Sequence, residues 1–489
     1  MKITMEKQEI IAYVQRQIVS TSDRLRTLTH DRLGRPYPKR YIFVKLEEYL
    51  RDFLAKQEDS PRSIIITGLR GVGKTTVLAQ ACANLLQKNI IPSQRVLFLS
   101  LEEVVSVLDS SLAESLDAFQ EIIGEKLDRT NTPVFLFIDE VQKDAHWGAI
   151  LRSLYEKNKN IFIFCTGSSA VELQTNADIA RRFLFEKLPP LSFGEYQMIH
   201  HQVYPVTGIK KKIIESLYFA NSGKDGFDQL AQLQPSVLSY WTKAHRDDVE
   251  HYMKVGTLPF ALSFPNEDAV NEDAVYDAIY LMLDAVATKD LVQFGKFEHD
   301  TLLAVKRLLF ILAENDTTSM YQLERVLGIS RLTIQNVLEA LEKTELLIRI
   351  PAHGSNMTVA KQPVKYLFMS PAIRMSFFRI TGNPQTFQTR KGKLLEDLVG
   401  THLYREFVSR GAGTVRYDAT QGGADFILQI ENKRQIAIEV GLGAKDKKQL
   451  IQTMKKMPCE YGITISTNIL AWDSEHRIMN LPMDYFLMM

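Results

Sequence analysis

The sequence predicts an α/β protein built around a parallel sheet, and three observations predict it. The β-branched run Ile64-Ile65-Ile66 leads into Gly68-Leu69-Arg70-Gly71-Val72-Gly73-Lys74-Thr75, and a helix-forming stretch from Thr76 to Leu86 follows. Strand, glycine loop and helix N-terminus is the order in which backbone N–H groups and a helix dipole cradle a phosphate. Further on, the apolar run Val134-Phe135-Leu136-Phe137-Ile138 ends in Asp139-Glu140. Between about residue 63 and residue 200, strand-like and helix-like patterns alternate. That alternation is the pattern of a parallel sheet covered by helices on both faces.

The glycine loop fits G-x-x-x-x-G-K-[ST] at each defined position, so Gly68, Leu69, Arg70, Gly71, Val72, Gly73, Lys74, Thr75 and Thr76 are the expected cradle of a nucleoside triphosphate, ATP. Lys74 would reach the β- and γ-phosphates and Thr75 would hold Mg²⁺. The strand ending at Asp139 delivers that carboxylate to the carboxyl edge of the sheet, where ligands bind in such folds. Asp139 is expected to hold the same Mg²⁺, and Glu140 to orient a water for attack on the γ-phosphate. The run Ile161-Phe162-Ile163-Phe164-Cys165 is a further strand, and Thr166 or Ser168 at its end could bond the γ-phosphate or the attacking water. Ser168 or Ser169 fits equally well as the N-cap of a helix over Ala170 to Leu173. Arg181 and Arg182 are either arginines that meet phosphate charge or a solvent-facing basic pair.

Composition bounds the rest. The 489 residues are enough for about three domains. A hydrophobic share of 45%, a charged share of 24% and a formal net charge of +1 are those of an ordinary soluble globular chain, so any nucleic-acid surface must be local. Cys82, Cys165 and Cys459 are far apart, as expected of reduced core residues in a cytoplasmic protein. No signal peptide and no run long enough to cross a bilayer is apparent.

Before the sheet, Ile10, Ile11, Val14 and Ile18 fall at helical spacing, and Tyr41 to Leu54 predicts another helix. The polar, basic stretch Asp31 to Arg40 between them reads first as a solvated linker and second as a nucleic-acid or nucleotide contact. After the sheet, Ser192 and Glu195 fit a capping box. His200-His201 has no third ligand at metal spacing nearby and reads as a surface or packing pair. Ala220 to Phe227 reads as a polar insertion.

The segments GLRGVGKTT, VFLFIDEVQ, TGSSA and KLPPLSFGEY together resemble the AAA+-related prokaryotic ATPases that carry a C-terminal DNA-binding and nuclease-like portion. Tyr252 to Phe260 is similar to that family's Gly-Gly-Tyr-Pro element, with Thr257 in place of the second glycine. The resulting expectation is a helical lead-in over 1–62, a P-loop AAA+-like ATPase core over 63–200, a helical lid over 201–300, a winged helix over 301–380 and a restriction-endonuclease-like domain over 390–489.

The winged-helix expectation rests on helical patterns at 302–312 and 321–327, the turn Gly328-Ile329-Ser330, a recognition helix from Arg331 to Leu341 and a wing from Leu346. Arg331, Thr333 and Gln335 would meet phosphates or base edges of nucleic acid, with DNA favoured. A winged helix used only for packing or protein contact fits as well. In the last portion Glu396, Asp425 and Glu439 match a layout in which carboxylates hold Mg²⁺ and a lysine aids attack on a phosphodiester. The lysine position holds Gly441. Lys445 or Lys448 would have to reach back, so a degenerate nuclease fold is favoured over an active one.

The leading expectation is an ATPase that couples nucleotide state to nucleic-acid binding or sensing. The alternatives are an ATP-gated Mg²⁺ nuclease and a non-hydrolysing switch that binds a protein partner. A homo-oligomer is compatible with each, and no membrane partner is expected.

Overall fold

The structure is a computed structural model. It describes residues 2–168, 179, 181–263, 270–291, 294, 297, 299–315, 317–355, 362–380, 386–430, 434–441, 447–467 and 469–489. The chain divides into two compact units, Met1–Pro189 and Pro190–Met489.

The first unit is built on five parallel strands, β1 (Ser63–Thr67), β2 (Val96–Ser100), β3 (Val134–Asp139), β4 (Ile161–Thr166) and β5 (Leu184–Lys187), in the order β2-β3-β4-β1-β5. Every residue of β1, β3 and β4 is buried. Such strands carry continuous apolar runs because both faces are covered. On one side Phe53, from the helix Ile42–Leu54, packs against Phe135 and Phe162, with ring centroids 5.2–5.8 Å apart. The helical stripe near the N-terminus finds its partner here. Ile10, Tyr13 and Val14 share one core with Leu97, Leu99, Leu116 and Ile138. The helix Leu112–Ile123 starts with a capping box between Ser111 and Glu114 and stops at Gly124, whose φ of 68° only glycine adopts cheaply.

In the second unit, Ser192 and Glu195 form the expected capping box at the start of the helix Phe193–His201. Phe193 stacks on Tyr196 and Trp241, and the Tyr252 hydroxyl donates to the Leu191 carbonyl at 2.8 Å. Leu191 N–H in turn donates to the Thr257 carbonyl, so the two segments that carry the family resemblance lie against each other. A Cβ on Gly256 would sit 2.6 Å from the Tyr196 ring, so no side chain fits there. Thr257, in place of a glycine, is accommodated because its hydroxyl bonds that of Ser370 at 2.6 Å. The stretch 220–227 is integrated rather than inserted. Ser222 caps the helix Gly223–Gln232, and a Cβ on Gly223 would sit 2.7 Å from the rings of Trp472 and Tyr461.

Further along come the helices His299–Glu314, Met320–Leu327 and Arg331–Lys343 and a small antiparallel sheet. Its strands are β6 (Thr317–Thr318), β7 (Leu347–Ile350) and β8 (Val364–Phe368), in the order β6-β8-β7. The last sheet has six strands, β9 (Gly413–Arg416), β10 (Phe426–Ile430), β11 (Gln435–Val440), β12 (Cys459–Ser466), β13 (Ala471–Asp473) and β14 (Ile478–Pro482). Their order is β13-β14-β12-β11-β10-β9, with β11, β12 and β14 parallel and the outer pairings antiparallel. No helix among the described residues is long and apolar enough to cross a membrane.

Candidate phosphate-binding and carboxylate sites

The strand order explains the first site. β4 lies between β1 and β3, so the carboxyl ends of three strands sit side by side. β1 runs into the glycine loop, β4 ends at Thr166 and β3 at Asp139. The loop is shaped by glycine. A Cβ on Gly68 would lie 2.4 Å from the Leu188 carbonyl oxygen, and Gly71 and Gly73 have φ of 85° and 90°. Gly73 is the N-cap of the helix Lys74–Gln87, so the sharp turn places the helix N-terminus at the loop.

Lys74 is buried, and its ammonium donates to the carbonyls of Gly68 at 2.9 Å and Leu69 at 3.2 Å. The Thr75 hydroxyl donates to Asp139, 3.0 Å from each carboxylate oxygen. The Thr166 hydroxyl bonds Asp139 on one side and accepts the Glu140 N–H at 3.0 Å on the other. Glu140 is in the left-handed region at φ 57°, and its carboxylate accepts from the Gln142 amide. Burial, and secondarily the charge of Glu140, pushes the Asp139 carboxyl up to about 6 against the hydrogen bonds from Thr166 and Thr75.

The two residues left open at the end of β4 have different surroundings. Thr166 is fully buried and engaged with Asp139 and Glu140. The Ser168 hydroxyl oxygen is buried and has no hydrogen-bond partner among the described residues. Ser169 and the helix it was expected to cap lie outside the described residues. The two arginines also part: Arg181 is exposed, while Arg182 pairs with Glu156 at 2.6 Å.

One residue of this site was hidden in the basic stretch expected to be a solvated linker. Arg40 is only 6% exposed and donates to the carbonyls of Val72 in the glycine loop and Pro189, both at 2.9 Å. Tyr37 is held too, through its carbonyl and the Gln80 amide. The signal was faint, a proline-flanked arginine just before an apolar helix.

In the second unit Asp425 and Glu439 face each other across the start of β10 and the end of β11. Asp425 N–H donates to the Glu439 carboxylate at 3.3 Å, and Val440 N–H donates to the Asp425 carboxylate at 2.8 Å. Glu396 comes from the helix Thr386–Leu403. A lysine is present, from a place the spacing did not point to. Lys365, on β8, pairs with Glu396 and stands 3.7 Å from Asp425. Of the residues expected to reach back, Lys445 lies outside the described residues and Lys448 begins the helix Lys448–Lys456.

On the helix Arg331–Lys343, Ser330 is the N-cap, accepting Thr333 N–H at 3.1 Å, and the Thr333 hydroxyl bonds that of Ser330. Arg331 and Gln335 line a groove of about 620 Å³ together with Glu339, Glu342, Arg349 and Tyr366. Burial pushes Glu342 up to about 7. The histidine pair also acquires neighbours that sequence spacing could not supply. His201, His245 and Asp248 bring ligand-type atoms within 4.8 Å of one another. Here His201 bonds Asp248 and stacks on His245 at 4.0 Å, which is a packing arrangement.

Residues 60–197 match the profile of an AAA domain. The chain is 34% identical over 457 residues to the uncharacterized protein MJ1637 of Methanocaldococcus jannaschii, covering 92% of this chain and 89% of that one. It belongs to the MJ1637 family. A second protein of the same organism, MJ1544, is 21% identical over 398 residues, 80% of this chain and 78% of its own. Among solved structures, that of Aeropyrum pernix ORC1 in complex with DNA aligns with 70% of this chain and 94% of its own, at 10% identity and a TM-score of 0.31. At that score nothing about DNA carries over to the MJ1637 family. What the family match and the fold establish together is a P-loop α/β core of the AAA type, followed by a unit with two further sheets.

Proposed function

We propose that this MJ1637-family chain is an Mg²⁺-dependent ATPase whose nucleotide state sets the nucleic-acid affinity of its second unit. The observation that carries the reading is the meeting of Lys74, Thr75, Thr166, Asp139 and Glu140 at the carboxyl ends of three adjacent strands. The residues fit the ligand. The loop needs glycine at Gly68, Gly71 and Gly73, a form in which backbone N–H groups can close on phosphate oxygens, and the oxygen donors Thr75 and Asp139 suit a hard cation. Mg²⁺ bound there would neutralise phosphate charge. Lys74 exchanges its two carbonyl partners for β- and γ-phosphate oxygens. Glu140 holds the attacking water and takes up its proton as the γ-phosphate leaves ADP. The buried Ser168 hydroxyl is available to bond the γ-phosphate, and Arg40 keeps the loop closed through Val72.

In the second unit the three helices and hairpin over 299–368 are read as a winged helix, with Arg331 and Gln335 as its nucleic-acid contacts. The test is fluorescence anisotropy of labelled DNA and RNA with the full chain in ATP, ADP and no nucleotide. Glu140→Gln, held in the ATP state, should fix the affinity at the ATP value. Affinity identical in all three states rejects the coupling.

A second reading is favoured by the gathering of Glu396, Asp425 and Glu439. What supports this reading is that Asp425 contacts the Glu439 strand and that Lys365 stands near both Glu396 and Asp425, so that the acids would offer oxygen donors to a divalent cation acting on a phosphodiester.

A further inference from the structure

We propose that His201, His245 and Asp248 form a binding site for a divalent transition metal of the Zn²⁺ type. The ion would fasten the end of the helix Phe193–His201 to the segment that leads into the helix Asp248–His251. The site lies within the second unit and does not depend on the nucleotide or carboxylate readings given above.

The packing of His201 against Asp248 and His245 also brings three metal-type donors together. Two imidazole nitrogens and a carboxylate oxygen, one from each residue, lie within 4.8 Å of one another. Zn²⁺ bonds such atoms at about 2.0–2.2 Å, which sets ligand atoms roughly 3.3 Å apart. Closing that gap calls for side-chain rotation, and His245, which is exposed, has room to turn off the face of His201. The same exposure leaves the fourth position of the ion to water.

A histidine–carboxylate pair by itself needs none of this. His476 and Asp473 make one at 3.2 Å, and there Lys447 answers the carboxylate at 2.8 Å. Asp248 is instead met by His201 and by the neutral amide of Gln197 at 3.3 Å. Imidazole is also concentrated at this place. Of the 10 histidines in the chain, His245, His201, His200 and His251 follow one another here, with successive ring centroids 4.0, 4.3 and 6.0 Å apart. Imidazole donors with a single carboxylate suit Zn²⁺ rather than Mg²⁺, which takes oxygen.

Gln197 positions two of the three donors. It is fully buried, donates its amide to Asp248 and accepts the His245 N–H at 3.2 Å. It stands one turn before His201 on the same helix, so one face carries both. Outer hydrogen bonds of this kind are what orient metal ligands. His201 is the last residue of that helix, where the helix dipole favours positive charge. Sequence spacing could not reveal the set, because 47 residues separate His201 from Asp248.

The experiment titrates Zn²⁺ into the full chain, stripped of metal by a chelator, against a chromophoric competitor. A large excess of Mg²⁺ competes for oxygen-donor sites elsewhere, and no nucleotide is added. Wild type should bind one Zn²⁺ per chain, and His476→Ala should bind it equally well. His245→Ala and Asp248→Asn should bind at least ~100-fold more weakly. Saturating Zn²⁺ should raise the Tm of wild type and not that of His245→Ala. His245→Cys should keep the site, and its Co²⁺ complex should show a thiolate-to-cobalt charge-transfer band that wild type lacks. His245 is exposed, so its two variants should fold, and they decide the matter if Asp248→Asn fails to melt cooperatively. Equal Zn²⁺ affinity in wild type and His245→Ala, or a Co²⁺ complex of His245→Cys without the band, overturns the site.

Discussion

At the scale of single residues, the nucleotide site turns on a carboxylate that burial disfavours. Asp139 titrates at about 6, above the usual carboxylate range near ~4. The sign follows directly. The folded chain favours the protonated acid, so this group's contribution to stability is complete below about pH 4 and is lost as pH rises through 6. Cation binding needs the ionised form. Mg²⁺·ATP affinity should therefore weaken by about tenfold on going from pH 7 to pH 5. Asp139→Asn should bind more weakly at pH 7 and lack that component of the pH dependence, as read by titration with a fluorescent ATP analogue. Identical profiles for the two proteins would contradict this role. Thr166 makes a second prediction. It links Asp139 to the backbone of Glu140, so the isosteric Thr166→Val should keep nucleotide binding but lower kcat by roughly tenfold or more, seen as a split between Kd and turnover. The glycine loop and Asp139-Glu140 were legible in the sequence because phosphate chemistry demands fixed spacing along one chain. The surroundings of Thr166 and Ser168 were not, because they depend on β4 lying beside β3.

At the scale of elements, the continuous apolar strands of the first unit announced themselves, since burial on both faces leaves little room for polar residues. Charged residues that end up inside did not. Arg374 is 1% exposed and pairs with the fully buried Asp397. It also donates to the carbonyls of Leu312 and Ala313. One guanidinium thereby satisfies a helix end, and Asp397 in turn holds β8. Removing one partner strands the other in the interior, so Arg374→Ala should cost about 3–5 kcal/mol, measured by urea unfolding. The paired change Arg374→Met with Asp397→Leu should recover most of that loss. A single variant as stable as wild type would show that the pair does not hold these elements. Arg40 and Lys365 were missed for the same reason: their partners are chosen by packing, and spacing along the chain carries no trace of it.

At the scale of the molecule, two units each gather acidic side chains with a lysine nearby, Lys74 in the first and Lys365 in the second. A net charge of +1 leaves neither unit a strong global field. The chemistry must come from these local arrangements. The order of the β2-β3-β4-β1-β5 sheet is what gathers the first set, and the N-terminal helices, which pack into the same core, are part of its support. The central claim is that this set hydrolyses ATP, and steady-state phosphate release from Mg²⁺·ATP tests it most directly. Wild type should turn over, Lys74→Ala should neither bind nor hydrolyse, and Glu140→Gln should bind ATP while releasing phosphate at least ~100-fold more slowly. A wild-type protein that releases no phosphate, or a Glu140→Gln variant that releases it at the wild-type rate, would contradict the account.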